Sequence, residues 1–163
     1  MPGIRWMVRR DMPDILAIEA ASFPELMQWT EEEFLSELRQ RNCIAMIAEI
    51  NERIVGYMVY LLQKKSLELT NIAVFPPDRR EGVATAMIDK LKRKIDQQRR
   101  ESITLTVGDW NLDAHRFFSS CGFCAVGVQR GHFSDGSDGY KFVWRPQEQF
   151  RTVNRVRSLM GDE

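Results

Sequence analysis

Hydrophobic and polar positions along this chain switch between a period of two and a period near 3.6, and the switches mark out its elements. Ile4–Val8 alternates as a first strand. Asp11 then reads as an N-cap with Pro13 in the first helical turn, and Ile15, Ile18 and Phe23 recur at helical spacing until Pro24 breaks the helix. Thr30 reads as a second N-cap, Glu33 three residues later completes a capping-box pattern, and Phe34, Leu35 and Leu38 supply the apolar face. Cys43–Ile50 and Ile54–Leu62 are β-rich runs on either side of Asn51-Glu52-Arg53, the pattern of a hairpin. Leu67–Val74 is a longer strand. Val83–Ile95 is a helix with Val83, Met87, Ile88, Leu91 and Ile95 on one side, and Lys and Arg crowd its C-terminal end, which complements the dipole. Ser102–Val107 alternates again. Leu112–Cys121 is a short helix with Gly122 as its C′ stop. Phe123–Val128 and Tyr140–Trp144 are the last strands, joined by the polar segment Ser134–Gly139. From Pro146 on the chain is polar, as a peripheral helix or a disordered tail. No internal repeat and no long linker interrupts it.

The order β-α-α-β-β-β-α-β-α-β-β implies an α/β (α+β) domain over residues 1–145, with a polar tail over 146–163. Its sheet is mixed, with helices on both faces. Ligands of such folds sit at the carboxyl end of a strand that feeds a helix, here the end of Leu67–Val74.

Composition narrows the function without naming it. A chain of 163 residues with 44% hydrophobic and 28% charged residues is an ordinary single globular domain. Its formal net charge is +0, so no global field draws it to nucleic acid. It has no apolar run long enough for a transmembrane helix, and its N-terminus lacks the apolar stretch of a secretory signal. Three cysteines fit a reducing compartment, so a cytoplasmic location, no nucleic-acid or membrane partner, no metal, and a monomer or weak dimer are the expectations.

The chemistry concentrates where that strand feeds its helix. Phe75-Pro76-Pro77 leads into Arg79-Arg80-Glu81-Gly82-Val83-Ala84 and then the helix. A Gly-containing turn that opens a helix presents unpaired N–H groups at the positive end of the dipole, a site for phosphate or pyrophosphate. Arg79 and Arg80 stand beside it to reinforce the anion. As a plain turn, the same glycine would merely permit tight packing.

Arg79-x-x-Gly82-x-Ala84 resembles the acetyl-CoA signature of the GNAT superfamily of acyl-CoA-dependent N-acyltransferases. Asn71-Ile72-Ala73-Val74-x-Pro76, Asn111 followed by Ala114–Phe118 and Cys121-Gly122-Phe123, and Phe23-Pro24 followed by Trp29-Thr30 and Phe34 are similar to the bacterial ribosomal-protein-alanine N-acetyltransferases. The resemblance implies a GNAT-type mixed, mostly antiparallel sheet and an acetyl-CoA cosubstrate. Its pyrophosphate would lie on the N–H groups of Arg80, Glu81, Gly82, Val83, Ala84 and Thr85, beside Arg79. Its pantetheine arm would run along Ile72, Ala73 and Val74, whose strand edge is splayed open. The N–H of Val74 would polarise the thioester carbonyl, and Asn111 and Phe118 would contact the cofactor from the second half of the domain.

Acetyl transfer to an amine needs a neutral amine, a polarised carbonyl and a thiolate that can leave. Glu68 is the expected base: it precedes Val74 by an even number of residues, which puts both side chains on one face of a regular strand, and the resemblance puts a catalytic Glu or Tyr of several members there. Two departures stand against the pattern. Thr106 replaces the glutamate that the alanine acetyltransferases carry before their asparagine, and Phe118 replaces the tyrosine that protonates the leaving thiolate; phenylalanine has no proton to give. Tyr140 and His132 are substitutes to weigh, His132 more readily as a packing or surface residue, and His115 reads the same way. Cys121-Gly122-Phe123-Cys124 reads as structural rather than redox-active, because its first thiol sits at a helix C-terminus where the dipole opposes a thiolate. The cationic run Lys90–Arg100 reads as a solvated helix face or a steering patch.

On the acceptor side, Ser22–Trp29 and Gly131–Gly139 would flank the groove. Phe23, Leu26, Met27 and Trp29 suit a peptide backbone or ordinary packing. Glu25, Glu31 and Glu32 suit a cationic amine or a helix N-terminus. The leading function is acetylation of a protein or peptide amine, N-terminal by preference, through direct attack in a ternary complex. Acetylation of a small amine such as a polyamine or aminoglycoside, and a weakly active acyl-CoA-binding module, are the alternatives.

Overall fold

The structure, a computed structural model, describes residues 1–146, so the expected tail lies outside the described residues. The strands are β1 (Gly3–Trp6), β2 (Cys43–Ile50), β3 (Arg53–Leu62), β4 (Ser66–Val74), β5 (Ser102–Gly108), β6 (Cys124–Gln129) and β7 (Gly139–Trp144). The α-helices are α1 (Met12–Ser22), α2 (Glu31–Leu38), α3 (Val83–Gln97) and α4 (Leu112–Ser120). All strands join one sheet in the order β1-β2-β3-β4-β5-β7-β6. Only β4 and β5 run parallel, with α3 as their crossover; every other pairing is antiparallel.

Local chemistry sets the element ends. Asn51 and Glu52 both take positive φ (50° and 64°), the two-residue geometry whose twist matches a hairpin, and Ile50 pairs with Arg53 across it. Phe23 is extended ahead of Pro24 and ends α1. Thr30 Oγ1 accepts the N–H of Glu33 at 3.2 Å, the first half of the expected capping box. The Glu33 carboxylate instead meets the Thr30 hydroxyl, at 3.4 Å. Asp11 occupies the N-cap position of α1 without capping it. Its carboxylate takes the Arg5 guanidinium at 2.8 and 2.9 Å and the N–H of Val8 at 2.7 Å, a charge-assisted fork stronger than one cap bond.

Helices cover both faces of the sheet. Ile15 and Ile18 of α1 and Phe34 of α2 pack on Ile47, Tyr57, Val59 and Ala73. On the other face Val83, Met87, Ile88, Leu91 and Ile95 of α3, with Phe118 of α4, share a core with Met58, Leu67, Leu69, Val74 and Phe142.

One irregularity in β4 matters for the site. Val59 pairs with Asn71, but Tyr60 pairs with Leu69, so Thr70 is an extra residue, and its hydroxyl donates to Val59 O at 3.1 Å. Before this bulge Leu67 and Leu69 face α3. After it Ile72 and Val74 do, while Ala73 faces α1.

Candidate active site

Strands β4 and β5 pair from Ser66–Ser102 to Leu69–Leu105 and then part. Past that point β5 stays with β7 and β4 stays with β3, so β4 shows an open edge from Thr70 to Val74. Phe75 donates its N–H to Val55 O at 2.7 Å. Antiparallel bonding alternates, so Ala73 is the next residue bonded to β3, and the N–H groups of Ile72 and Val74 point to the open edge. Val74 O points there too, and receives Arg79 Nε at 3.0 Å.

The turn that follows is built from left-handed residues, Arg80 at φ 65° and Gly82 at φ 79°. Arg79 N–H bonds Pro76 O at 3.3 Å, and the next amide with a backbone acceptor is Ala86, to Gly82 O at 3.0 Å. Among the described residues, the amides from Arg80 to Thr85 have no protein acceptor. They crown the N-terminus of a four-turn helix, which is the geometry that holds a phosphate. Open edge and free amides line one cleft of about 530 Å³. Ile72, Ala73, Val74, Arg79, Arg80, Gly82, Val83, Ala84, Thr85, Asn111 and Phe118 all line it; Glu81 does not. These donors fit an extended ligand with a polar arm and a pyrophosphate.

Arg79 departs from its expected role as a free anion arm. Its Nε is bound to Val74 O and its Nη2 to Ser22 Oγ (3.1 Å), so it braces the loop against β4 and α1. Asn111 caps α4, its Oδ1 accepting the N–H of Ala114 at 3.2 Å.

A second cleft of about 270 Å³ opens on the other side of the strand parting and shares Phe23, Ile72, Asn111, Ala114 and Phe118 with the first. Phe23, Leu26, Met27, Gln28 and Trp29 form one wall, and His132, Phe133 and Ser134 lie in another. Trp110 also lines it, folded over Gly108, where a Cβ would lie 2.5 Å from the indole Nε1. Among the described residues, the lining holds the carboxylates of Glu19 and Glu33 and no lysine or arginine. Glu25, Glu31 and Glu32, the acidic residues expected there, lie outside it.

Glu68 is a correction. Parity along a regular strand puts it on the face of Val74, but the bulge at Thr70 breaks the count and turns the two side chains to opposite faces. Glu68 lines neither cleft and accepts Gln63 Nε2 at 3.1 Å. Tyr140 lines neither cleft either. His115 is structural, with Nε2 2.9 Å from Gly108 O and its ring edge-on to Tyr140 and Phe142. His132 reaches the smaller cleft, stacked edge-on to Phe133 at 4.9 Å. Thr106 lines that cleft and donates to Gln129 Oε1 at 3.1 Å. Burial pushes the Cys121 thiol up, away from a reactive thiolate. In the cationic run, Lys92 bonds Cys121 O and stands over the Trp144 ring, and Arg100 bonds Gln63 O at 3.0 Å, so both brace the fold.

The sequence reading passed over Glu19. Its carboxylate is buried among the N–H of Trp29, Nδ2 of Asn71 and the hydroxyl of Tyr57. Burial pushes its pKa up against these donors, and burial with the nearby carboxylate pushes the Tyr57 hydroxyl up as well. The signal was present: Glu19 follows Ile15 by four residues and so sits on the apolar face of α1, where an acid is out of place.

Comparison with known proteins points to one family. The sequence profile of the acetyltransferase (GNAT) family matches residues 4–123. An N-alpha-acetyltransferase of Sulfurisphaera tokodaii is 25% identical over 143 residues, covering 80% of this chain and 84% of the relative. The [ribosomal protein bS18]-alanine N-acetyltransferase of Escherichia coli is 25% identical over 132 residues, covering 78% of this chain and 86% of the relative. The crystal structure of Ard1 from Thermoplasma volcanium superposes with a TM-score of 0.80 at 24% identity, covering 88% of this chain and 97% of that one.

Proposed function

The chain belongs to the acetyltransferase (GNAT) family, an acetyl-CoA-dependent family, and from that premise we propose that it acetylates the α-amino group of a protein or peptide. The observation that carries the cosubstrate half of this reading is the run of free amides from Arg80 to Thr85, continuous with the open edge of Ile72–Val74 in one cleft. In this reading the amides hold the pyrophosphate, Ile72 and Val74 pair with the pantetheine amides, and the Val74 N–H donates to the thioester carbonyl. The acceptor enters through the smaller cleft and meets the thioester where the strands part.

Two features support an α-amine. Relatives sharing about a quarter of their residues with this chain are N-alpha- and ribosomal-protein-alanine acetyltransferases. The acceptor cleft is acidic but holds no carboxylate free of partners, and an α-amine of pKa about 8 needs far less help than a lysine of about 10.4.

The test follows free CoA released from acetyl-CoA. A peptide with a free α-amine is expected to turn over, while an N-terminally blocked peptide carrying lysine, and spermidine, are expected not to. Turnover of spermidine alone would move the function to small amines, and CoA binding without turnover on any acceptor would leave a binding module. In the same assay Glu68→Gln is expected to change kcat by less than about twofold, whereas loss of a positioned base costs about 10²–10⁴; a loss of that size would put Glu68 back at the reacting centre.

A further inference from the structure

The floor of the acceptor cleft holds a carboxylate to which acetyl transfer, as described, gives no task. Glu19 is 2% exposed. Its Oε1 accepts the N–H of Trp29 at 3.0 Å, and its Oε2 accepts Nδ2 of Asn71 at 3.0 Å and the hydroxyl of Tyr57. Trp29 belongs to the wall that flanks the acceptor. Asn71 directly follows the bulge and directly precedes Ile72, whose N–H points to the open edge. One side chain of α1 thus joins the acceptor wall to the strand at the point of parting.

None of these partners is a cation, and among the described residues no lysine or arginine lines the cleft. Trp29 N–H and the amide of Asn71 donate, and a hydroxyl pushed up as Tyr57 is remains a donor, which is the set that suits an ionised acceptor. A buried charge without a counter-ion costs the fold stability, and the upward shift of Glu19 expresses that cost. An amide of the same shape would carry no charge, but it offers one acceptor oxygen to three donors and turns its NH2 toward some of them. What the charge adds is a negative potential inside a poorly solvated cleft, where it acts over several ångströms.

We propose that Glu19 is the acceptor-positioning residue: its carboxylate clamps Trp29 to Asn71 and supplies a negative potential that favours the α-amine at the end of Ile72–Val74 as it becomes cationic on attack. Glu19 does not touch the amine. It acts through the Trp29 and Asn71 contacts, and its field favours the neutral nitrogen as that atom gains positive charge: the C–N bond forms, the C–S bond breaks, CoA leaves as the thiolate, and the nitrogen's extra proton passes to that thiolate or to water. This inference rests on the proposed acceptor reading.

The experiment compares the wild-type chain with Glu19→Gln and Glu19→Ala by melting temperature, acetyl-CoA affinity from calorimetry, and kcat and KM for a peptide with a free α-amine. Because burial raises the pKa of Glu19, its stabilising share is present at acid pH and is lost as pH rises through the folded value; Glu33 of α2 and Tyr57 of β3 are the other titratable groups facing it. Glu19→Gln is therefore expected to melt close to the wild-type temperature near neutral pH, the relieved charge offsetting an NH2 turned toward donors. It should bind acetyl-CoA as wild type and raise the acceptor KM about tenfold, the scale of one charge felt across roughly 10 Å in a poorly solvated cleft. Glu19→Ala, which leaves Trp29 N–H and Asn71 without a partner, is expected to lower the melting temperature and raise KM further. Wild-type kcat/KM in Glu19→Gln would overturn the proposal, as would parallel losses of acetyl-CoA affinity and acceptor KM. Absence of turnover in the wild-type chain would instead sink the acceptor reading beneath it.

Discussion

Gly82→Val is expected to abolish measurable acetyl-CoA binding, weakening it by at least about 100-fold, while the chain still folds. Gly82 sits at φ 79° as the N-cap of α3, and a Cβ there would meet no protein atom within 4 Å. The cost to the fold is therefore that of a left-handed non-glycine residue, about 1–2 kcal/mol. The cost to the ligand is larger, because the new side chain would stand among the amides from Arg80 to Thr85 that have no other acceptor. Losing two charge-assisted bonds to a phosphate, at about 1.5–3 kcal/mol each, accounts for a 100-fold loss or more. Calorimetric titration with CoA reads the affinity, and a melting curve confirms the fold. Wild-type affinity in a folded Gly82→Val would move the pyrophosphate away from this turn.

The second large effect is a gain. Phe118→Tyr is expected to raise kcat roughly tenfold for an acceptor that the wild type already uses. Phe118 is 2% exposed, lines both clefts and packs against the rings of Phe117, Phe123 and Phe142. A hydroxyl on that ring would stand between the two clefts, where the proposed reaction releases its thiolate. A thiol of pKa about 8.5 leaves as thiolate near pH 7 at a cost of about 2 kcal/mol, which bounds the gain at about 30-fold. The gain should fade at high pH, where thiolate and tyrosinate need no proton exchange, so a pH profile separates an acid from a packing effect. An unpaired buried hydroxyl costs about 1–3 kcal/mol, and melting curves measure that share. An unchanged kcat in a stable variant would show that thiolate departure draws its proton from elsewhere.

How far the site was legible depended on whether its chemistry is local. The cradle was, because a strand, a Pro-Pro turn, a glycine and a helix follow one another within residues 67–95, and helix N-terminal amides are free wherever such a helix starts. The open edge of β4 was legible through resemblance alone: nothing in Leu67–Val74 says that its neighbour leaves after Leu105. Glu68 shows the cost of extrapolating a local rule. Period-two counting holds for a regular strand, and the extra residue at Thr70 reverses it without a sequence mark stronger than a threonine. Arg79 shows another limit: it lines the cleft, but that its Nε and Nη2 are held by Val74 O and by Ser22, 57 residues away, is not legible in the sequence.

Taken alone, the amino-acid order determined the elements, the hairpin between β2 and β3, the helices on both faces and the glycine turn whose amides open α3. Each rests on contacts a few residues apart, where periodicity, capping and turn chemistry decide the outcome. The tertiary structure decided the rest: the parting of β4 from β5, the face that Glu68 takes, and the meeting of Glu19, Trp29, Tyr57 and Asn71 at the floor of one cleft. Those depend on strand register and on partners as far as 52 residues apart, which only the packing of helices on a twisted sheet brings together.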